Sequence, residues 1–198
     1  MNARDEILSD VRRALTGANP PRTDVSRAYR RTPPAHLDVV GLFVERVEDY
    51  RAVVVRCSAD EVEQRIADAL PEGARVVVPD GLAWTVPSAT VDDDFDAYAL
   101  GTFDVIVTGA SVAIAETGTI VLSHDSGEGR RALTLVPDVH ICVVRADQVV
   151  PNVPDAVALL DPVRPMTWIS GPSATSDIEL QRVEGVHGPR TLHVIVVG

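Results

Sequence analysis

The sequence predicts an α/β protein, a mixed and mainly parallel sheet with helices on both faces, preceded by an N-terminal helix and linker. Three observations carry this. Between residues 52 and 108, short apolar β runs alternate with helical patterns, the rhythm of βαβ units. From residue 111 to residue 144, strand-like runs follow one another directly, which points to a mixed sheet. The composition is 45% hydrophobic but only 4% aromatic, so Val, Ile, Leu and Ala must fill the interior. At 198 residues one such domain can bury a substantial core.

Residues 3–15 place Ile7, Leu8, Val11 and Leu15 on one helical stripe, and Gly17 ends it. Residues 16–34 hold two Pro-Pro pairs and several Arg, read as a connector or an arm packed on a partner. The division expected is therefore 1–34, helix and Pro/Arg-rich linker, and 35–198, one α/β domain. Residues 36–50 form a second helix with Val40, Phe43, Val44 and Val47 on one face. Residues 52–55 read as a buried strand. Ser58 and Glu61 have capping-box spacing and open a helix that Pro71 stops. Residues 75–78 form a strand ending in the turn Pro79-Asp80-Gly81, residues 84–94 are irregular or a short strand, and residues 95–100 a short helix.

Strands are then expected at 104–108, 111–115, 119–122, 133–136 and 140–144, with Arg130 and Arg131 in a loop. Residues 154–160 form a helix with proline in its first turn, terminated by Pro162. Residues 166–169 and 191–197 are the last strands. Between them, Ser176 and Glu179 repeat the capping-box spacing, and Gly185 stands where an αL residue would close a short helix.

Bulk properties exclude several classes. A net charge of −11 and the lack of any K/R-rich block argue against a nucleic-acid footprint. Every basic residue is Arg, which removes Schiff-base chemistry and a P-loop lysine. No apolar stretch reaches membrane-spanning length and the N-terminus is charged, so the expectation is a cytoplasmic protein. Cys57 and Cys142 sit at or in apolar β runs and read as buried free thiols, too few for a four-cysteine cluster. No metal-ligand spacing, Walker motif or Gly-x-Ser-x-Gly appears.

Three loops could carry chemistry. The first is Thr108-Gly109-Ala110-Ser111. The second is Ala115-Glu116-Thr117-Gly118-Thr119, where Glu116 lies between apolar segments beside a glycine that permits close backbone approach. A partly desolvated carboxylate there would suit a general base or nucleophile; the alternative is an exposed hairpin tip. The third is residues 170–190. Ser173, Thr175, Ser176 and Asp177 surround a predicted helix start that suits an anion, although Asp177 can equally be a cap. His187 could move a proton and Arg190 could bind a carboxylate bidentately, or both could decorate a surface turn. His124-Asp125-Ser126 reads as loop, and His140 and His193 read as core or sheet-face residues.

Four stretches occur in a fixed order: Ala115-Glu116-Thr117-Gly118-Thr119-Ile120-Val121-Leu122, Leu135-Val136-Pro137-Asp138-Val139-His140-Ile141, Ile169-Ser170-Gly171-Pro172-Ser173-Ala174-Thr175-Ser176-Asp177-Ile178-Glu179, and Gly185-Val186-His187-Gly188-Pro189-Arg190. Together they resemble the LUD domain, as in the lactate-utilisation protein C family. The resemblance covers residue 39 to the C-terminus and implies a fold similar to the NagB/RpiA/CoA-transferase-like superfamily. It also implies a part in oxidising L-lactate to pyruvate, with iron–sulfur clusters in partner proteins and no cofactor on this chain. Glu116 looks similar to the nucleophilic glutamate of CoA transfer, an analogy from fold.

Three readings follow. The first is a subunit of an L-lactate-oxidising system, inactive alone, that binds a small anion between the Glu116 turn and the Ser173–Asp177 region. In it Gly109, Thr117, Gly118, Ser173, Thr175, Ser176, Asp177 and Arg190 contact the ligand, and Glu116 and His187 handle protons. The second is a stand-alone isomerase or acyl/CoA transferase with Glu116 catalytic, and the third a non-catalytic assembly module. A homodimer through exposed strand edges is compatible with each.

Overall fold

The computed structural model describes residues 2–17, 24, 26, 38–172, 174–175, 183–184 and 188–198. The N-terminal helix α1 (Ala3–Leu15) is capped by Asn2, whose side chain accepts the Asp5 N–H, and none of its residues is buried. Most of the linker expected after it lies outside the described residues.

From residue 38 the elements alternate as the apolar pattern requires. Helix α2 (Val39–Asp49) starts where the Asp38 carboxylate accepts the Gly41 N–H at 2.8 Å, and it buries Phe43 and Val47. Strand β1 (Val53–Cys57) leads to α3 (Val62–Ala69). There the Glu61 carboxylate accepts the Ser58 N–H at 3.0 Å, half of the expected box. The Ser58 hydroxyl donates to the same carboxylate and accepts no helix N–H among the hydrogen bonds described. Next come β2 (Val76–Val78), β3 (Thr90–Val91), α4 (Ala97–Leu100), β4 (Val105–Thr108), β5 (Val112–Ile114) and β6 (Thr119–Leu122). The remainder is β7 (Val139–Arg145), β8 (Val149–Val150), α5 (Val153–Leu159), β9 (Thr167–Ile169), β10 (Ala174–Thr175), β11 (Val183–Glu184) and β12 (Thr191–Val197).

The mixed, mainly parallel architecture is present, divided between two sheets. The larger has the order β1-β12-β7-β4-β2-β3 and is parallel throughout. The smaller, β8-β5-β6-β9, joins β5, β6 and β9 antiparallel, with β8 parallel to β5. Strand alternation sends side chains to two cores. Cys142, Val144, Leu192, Val194 and Val196 meet α2 and the smaller sheet on one face. Ile141, Val143, Ile195 and Val197 meet Val62 and Ile66 of α3 on the other. Helices therefore cover both faces, and β7 and β4 lie at the centre, with every residue of β4 buried.

Three local expectations need correction. The strand read at 52–55 begins one residue later and ends two later, and it is an edge: among the described residues β1 pairs only with β12, and Val53 is 45% exposed. The strand read at 133–136 is instead a 3-10 turn, Arg131–Thr134. Arg130 anchors its start to Asp92, and Leu133 drops into a core formed with Val77, Leu100 and Ile106. The short helix expected from Ser176 towards Gly185 does not reach its end, because Val183 and Glu184 pair antiparallel with Thr175 and Ala174. Residues 176–182, including the predicted cap, lie outside the described residues. Among the described residues, no helix is long and apolar enough to cross a membrane.

Candidate functional site

A cavity of about 310 Å³ opens where the 3-10 turn, the first residues of β7 and β12, and the end of β9 converge. That is the low end of the range for small-molecule sites. Arg131, Thr134, Leu135, His140 and Leu192 form one wall, residues 167–172 the other, and Gly188 and Pro189 part of the rim. His140 and Leu192 are the second residues of parallel strands. The cavity thus lies at the amino ends of the central strands, whereas open α/β sheets commonly bind ligands at the carboxyl ends.

Two adjacent arginines have different roles. Arg130 donates from Nε to Asp92 at 2.7 Å, from an Nη to the other carboxylate oxygen at 3.0 Å, and from that Nη to the Phe95 carbonyl at 2.5 Å. That fork holds the Asp92 carboxyl below its ordinary range. Arg131, on the cavity wall, is exposed and its guanidinium makes no hydrogen bond or ion pair with the described residues. Among the described residues it is the cation lining this cavity that can meet an anion.

His140 is 1% exposed, and its Nε2 lies 2.8 Å from the Thr108 hydroxyl. Burial pushes its pKa down to about 4, so the ring is neutral at physiological pH. The Thr108 hydroxyl also reaches Cys142 Sγ at 3.7 Å, and that thiol reaches the Gly109 carbonyl at 3.6 Å. Burial drives the Cys142 thiol up to about 12, which keeps it protonated. Thr167, on the opposite wall, is oriented by His124. The Nδ1–H of His124 donates to the Gly129 carbonyl at 2.8 Å, which leaves Nε2 to accept the Thr167 hydroxyl at 3.1 Å.

The Glu116 turn lies beside this cavity and does not line it. Glu116 itself is exposed at the tip of the β5–β6 hairpin, with its N–H donated to the Pro151 carbonyl at 3.0 Å, so the desolvated setting expected for it is absent. Thr117 is exposed as well, but its hydroxyl begins a ladder to Thr119 at 2.7 Å and on to Ser170 at 2.8 Å, which reaches the cavity wall. Gly118 adopts φ +61°, and a Cβ there would lie 2.9 Å from the backbone of Arg46. Its carbonyl accepts the Tyr50 hydroxyl at 2.5 Å, while the Tyr50 ring packs on Gly171. Burial raises the Tyr50 pKa, so the phenol keeps the proton it donates. Tyr50 thereby clamps the turn to the cavity loop.

The structure redistributes the other sequence-predicted residues. Arg190 is exposed and forks onto Asp138, with Nε donating at 3.1 Å and an Nη donating to the second oxygen. It therefore ties the entry of β12 to that of β7 and does not line the cavity. Gly109 lies at the carboxyl end of β4 in a separate crevice of about 100 Å³ with Gly81, Ser126 and Arg145. Ser173, Ser176, Asp177 and His187, and the side chain of Thr175, lie outside the described residues. Arg131, Thr134, His140 and Thr167 were missed as site residues. A polar His140 inside a buried apolar strand, nine residues after the second of two adjacent arginines, is the signal the sequence offers.

Comparisons with known proteins show the family and the fold. The LUD domain family model matches residues 42–197. A protein from Deinococcus radiodurans named "Lactate utilization protein C" is 45% identical, over 99% of this chain and 96% of its own. "Lactate utilization protein C 1" from Bacillus mycoides is 35% identical over 58% of this chain and 50% of its own. The crystal structure of a DUF162 family protein from Deinococcus radiodurans superposes with a TM-score of 0.71 at 42% identity. It covers 84% of this chain and 100% of that one.

Proposed function

Because the chain belongs to the LUD domain family, we propose that it is the cluster-free subunit of an L-lactate utilisation system, binding the small acid while iron–sulfur partner proteins carry the electrons. The name of the full-length relative from Deinococcus radiodurans supports the pathway. The geometric observation that carries the reading is a single one. An Arg131 without a partner among the described residues and a buried, neutral His140 share a cavity of about 310 Å³.

The chemistry follows from those groups. Arg131 meets the carboxylate with a fork of N–H donors. Thr134, Thr167 and Ser170 surround the rest of a three-carbon acid with hydroxyls, and Leu135, Trp168 and Ile169 cover its methyl end. In the same proposal Ser173 and His187, which follow Pro172 and precede Gly188 in the sequence, belong to the ligand shell, and Glu116 stays the nearby acid. Oxidising a 2-hydroxy acid releases two electrons. The two cysteines here cannot supply the four thiolates of a common iron–sulfur cluster, so the acceptor is placed on partners.

The test is lactate oxidation by the complex reconstituted with its partner proteins. The chain alone is expected to be inactive and the complex active, with Arg131→Ala reducing turnover at least tenfold. Full activity of the lone chain, or an unchanged complex with Arg131→Ala, contradicts the proposal.

A further inference from the structure

We infer that the cavity selects a 2-hydroxy acid over the matching 2-oxo acid, with His140 Nδ1 accepting the ligand's hydroxyl and Thr108 as the positioning residue that leaves Nδ1 bare. This rests on the reading above only in taking the ligand to be a small carboxylate held by Arg131; the selectivity is a separate claim.

The argument is a count of protons along a buried chain. Four groups are in sequence: His140 Nε2, Thr108 Oγ1 at 2.8 Å, Cys142 Sγ at 3.7 Å, and the Gly109 carbonyl oxygen at 3.6 Å. The last can only accept, so the thiol donates to it. The thiol sulfur then accepts from the Thr108 hydroxyl. In the arrangement that gives every contact of the chain a proton, that hydroxyl's single proton goes to the sulfur, so towards His140 it accepts and Nε2 carries the N–H. A neutral imidazole with its proton on Nε2 has a lone pair on Nδ1. The burial that holds the ring neutral also keeps a second proton off it.

Nδ1 has no hydrogen-bond partner among the described residues, although His140 is 1% exposed and lines the cavity. Nδ1 is not among the described side-chain atoms sealed from solvent without a partner, so it opens onto the cavity, where a ligand hydroxyl can donate to it. A keto oxygen would instead face Nδ1 lone pair to lone pair. Sheet register makes this a built arrangement: Thr108 pairs with Cys142 and Ile106 with His140, so all three polar side chains point to one face.

The experiment is calorimetric titration of the full chain with L-lactate and pyruvate, beside 15N-detected NMR of the histidine rings. The expected result is lactate bound about tenfold or more tighter than pyruvate, one hydrogen bond against one unpaired acceptor. His140 should be in the Nε2–H form without ligand, and Thr108→Val should bring the two affinities together. Equal affinities in the wild-type chain, an Nδ1–H ring, or full selectivity in Thr108→Val overturns the inference and leaves the carboxylate reading standing. Binding of neither acid overturns both. Should Thr108→Val not fold, the wild-type affinities and ring tautomer decide alone.

Discussion

Acidification is the perturbation whose effect the structure states most directly. His140 is wholly buried and its pKa falls from 6.5 to about 4 on folding. The unfolded chain therefore binds a proton on this ring across a window in which the native chain does not. Because the native value is the lower one, the stabilising contribution is complete above pH 6.5 and is lost as pH falls towards 4. At pH 5 the loss from this ring alone is about 2 kcal/mol, approaching about 3 kcal/mol below pH 4. Urea unfolding between pH 8 and pH 5 measures it, with His140→Gln as the reference. His193, also shifted down by burial, moves stability in the same direction and is common to both proteins, so it cancels in the difference. The wild type should lose about 2 kcal/mol more than the variant over that range. Parallel curves would refute the placement of a neutral, buried ring at this position.

Other consequences are as specific. Gly118→Ala should cost about 3 kcal/mol, from an αL penalty of about 1 kcal/mol plus overpacking against the Arg46 backbone 2.9 Å away. A melting temperature lowered by about 6–12 °C would register it, and a change under 2 °C would speak against the close approach. Arg130→Ala removes both guanidinium donors to a largely buried Asp92 carboxylate, leaving it the Phe95 N–H at 3.2 Å, and should destabilise by about 2–3 kcal/mol in denaturant titrations, whereas Arg131→Ala should be within about 0.5 kcal/mol of wild type. Cys142, pushed to about 12, and Cys57, raised chiefly by burial, should both resist a disulfide reagent at pH 8 and react on unfolding. Rapid native labelling of Cys142 would contradict its packing.

What could be read in the sequence followed from local signals. Apolar β runs such as residues 191–197 and the first-turn proline of the helix read at 154–160 act within a few positions, and their elements appear within a residue of where the pattern puts them. Failures occurred where a distant partner decides. Leu133 to Val136 has strand composition, yet Arg130 finds Asp92 thirty-eight residues away and the segment coils into a turn. Arg190 has the chemistry of an anion anchor, but Asp138, fifty-two residues away, takes its fork, and Arg131, next to Arg130, has no such partner among the described residues. His140 looked like core because it is core; that its ring also lines a cavity depends on the crossing of β7, β9 and the 3-10 turn, which no local pattern encodes.

The central claim is that Arg131, and not Arg190, anchors a small carboxylate in this cavity. Calorimetric titration of L-lactate into the wild-type chain, Arg131→Ala and Arg190→Ala tests it most directly. The account predicts binding by the wild type, at least a tenfold loss in Arg131→Ala, and near wild-type affinity in Arg190→Ala. Undiminished binding by Arg131→Ala, with the loss appearing in Arg190→Ala, would contradict it.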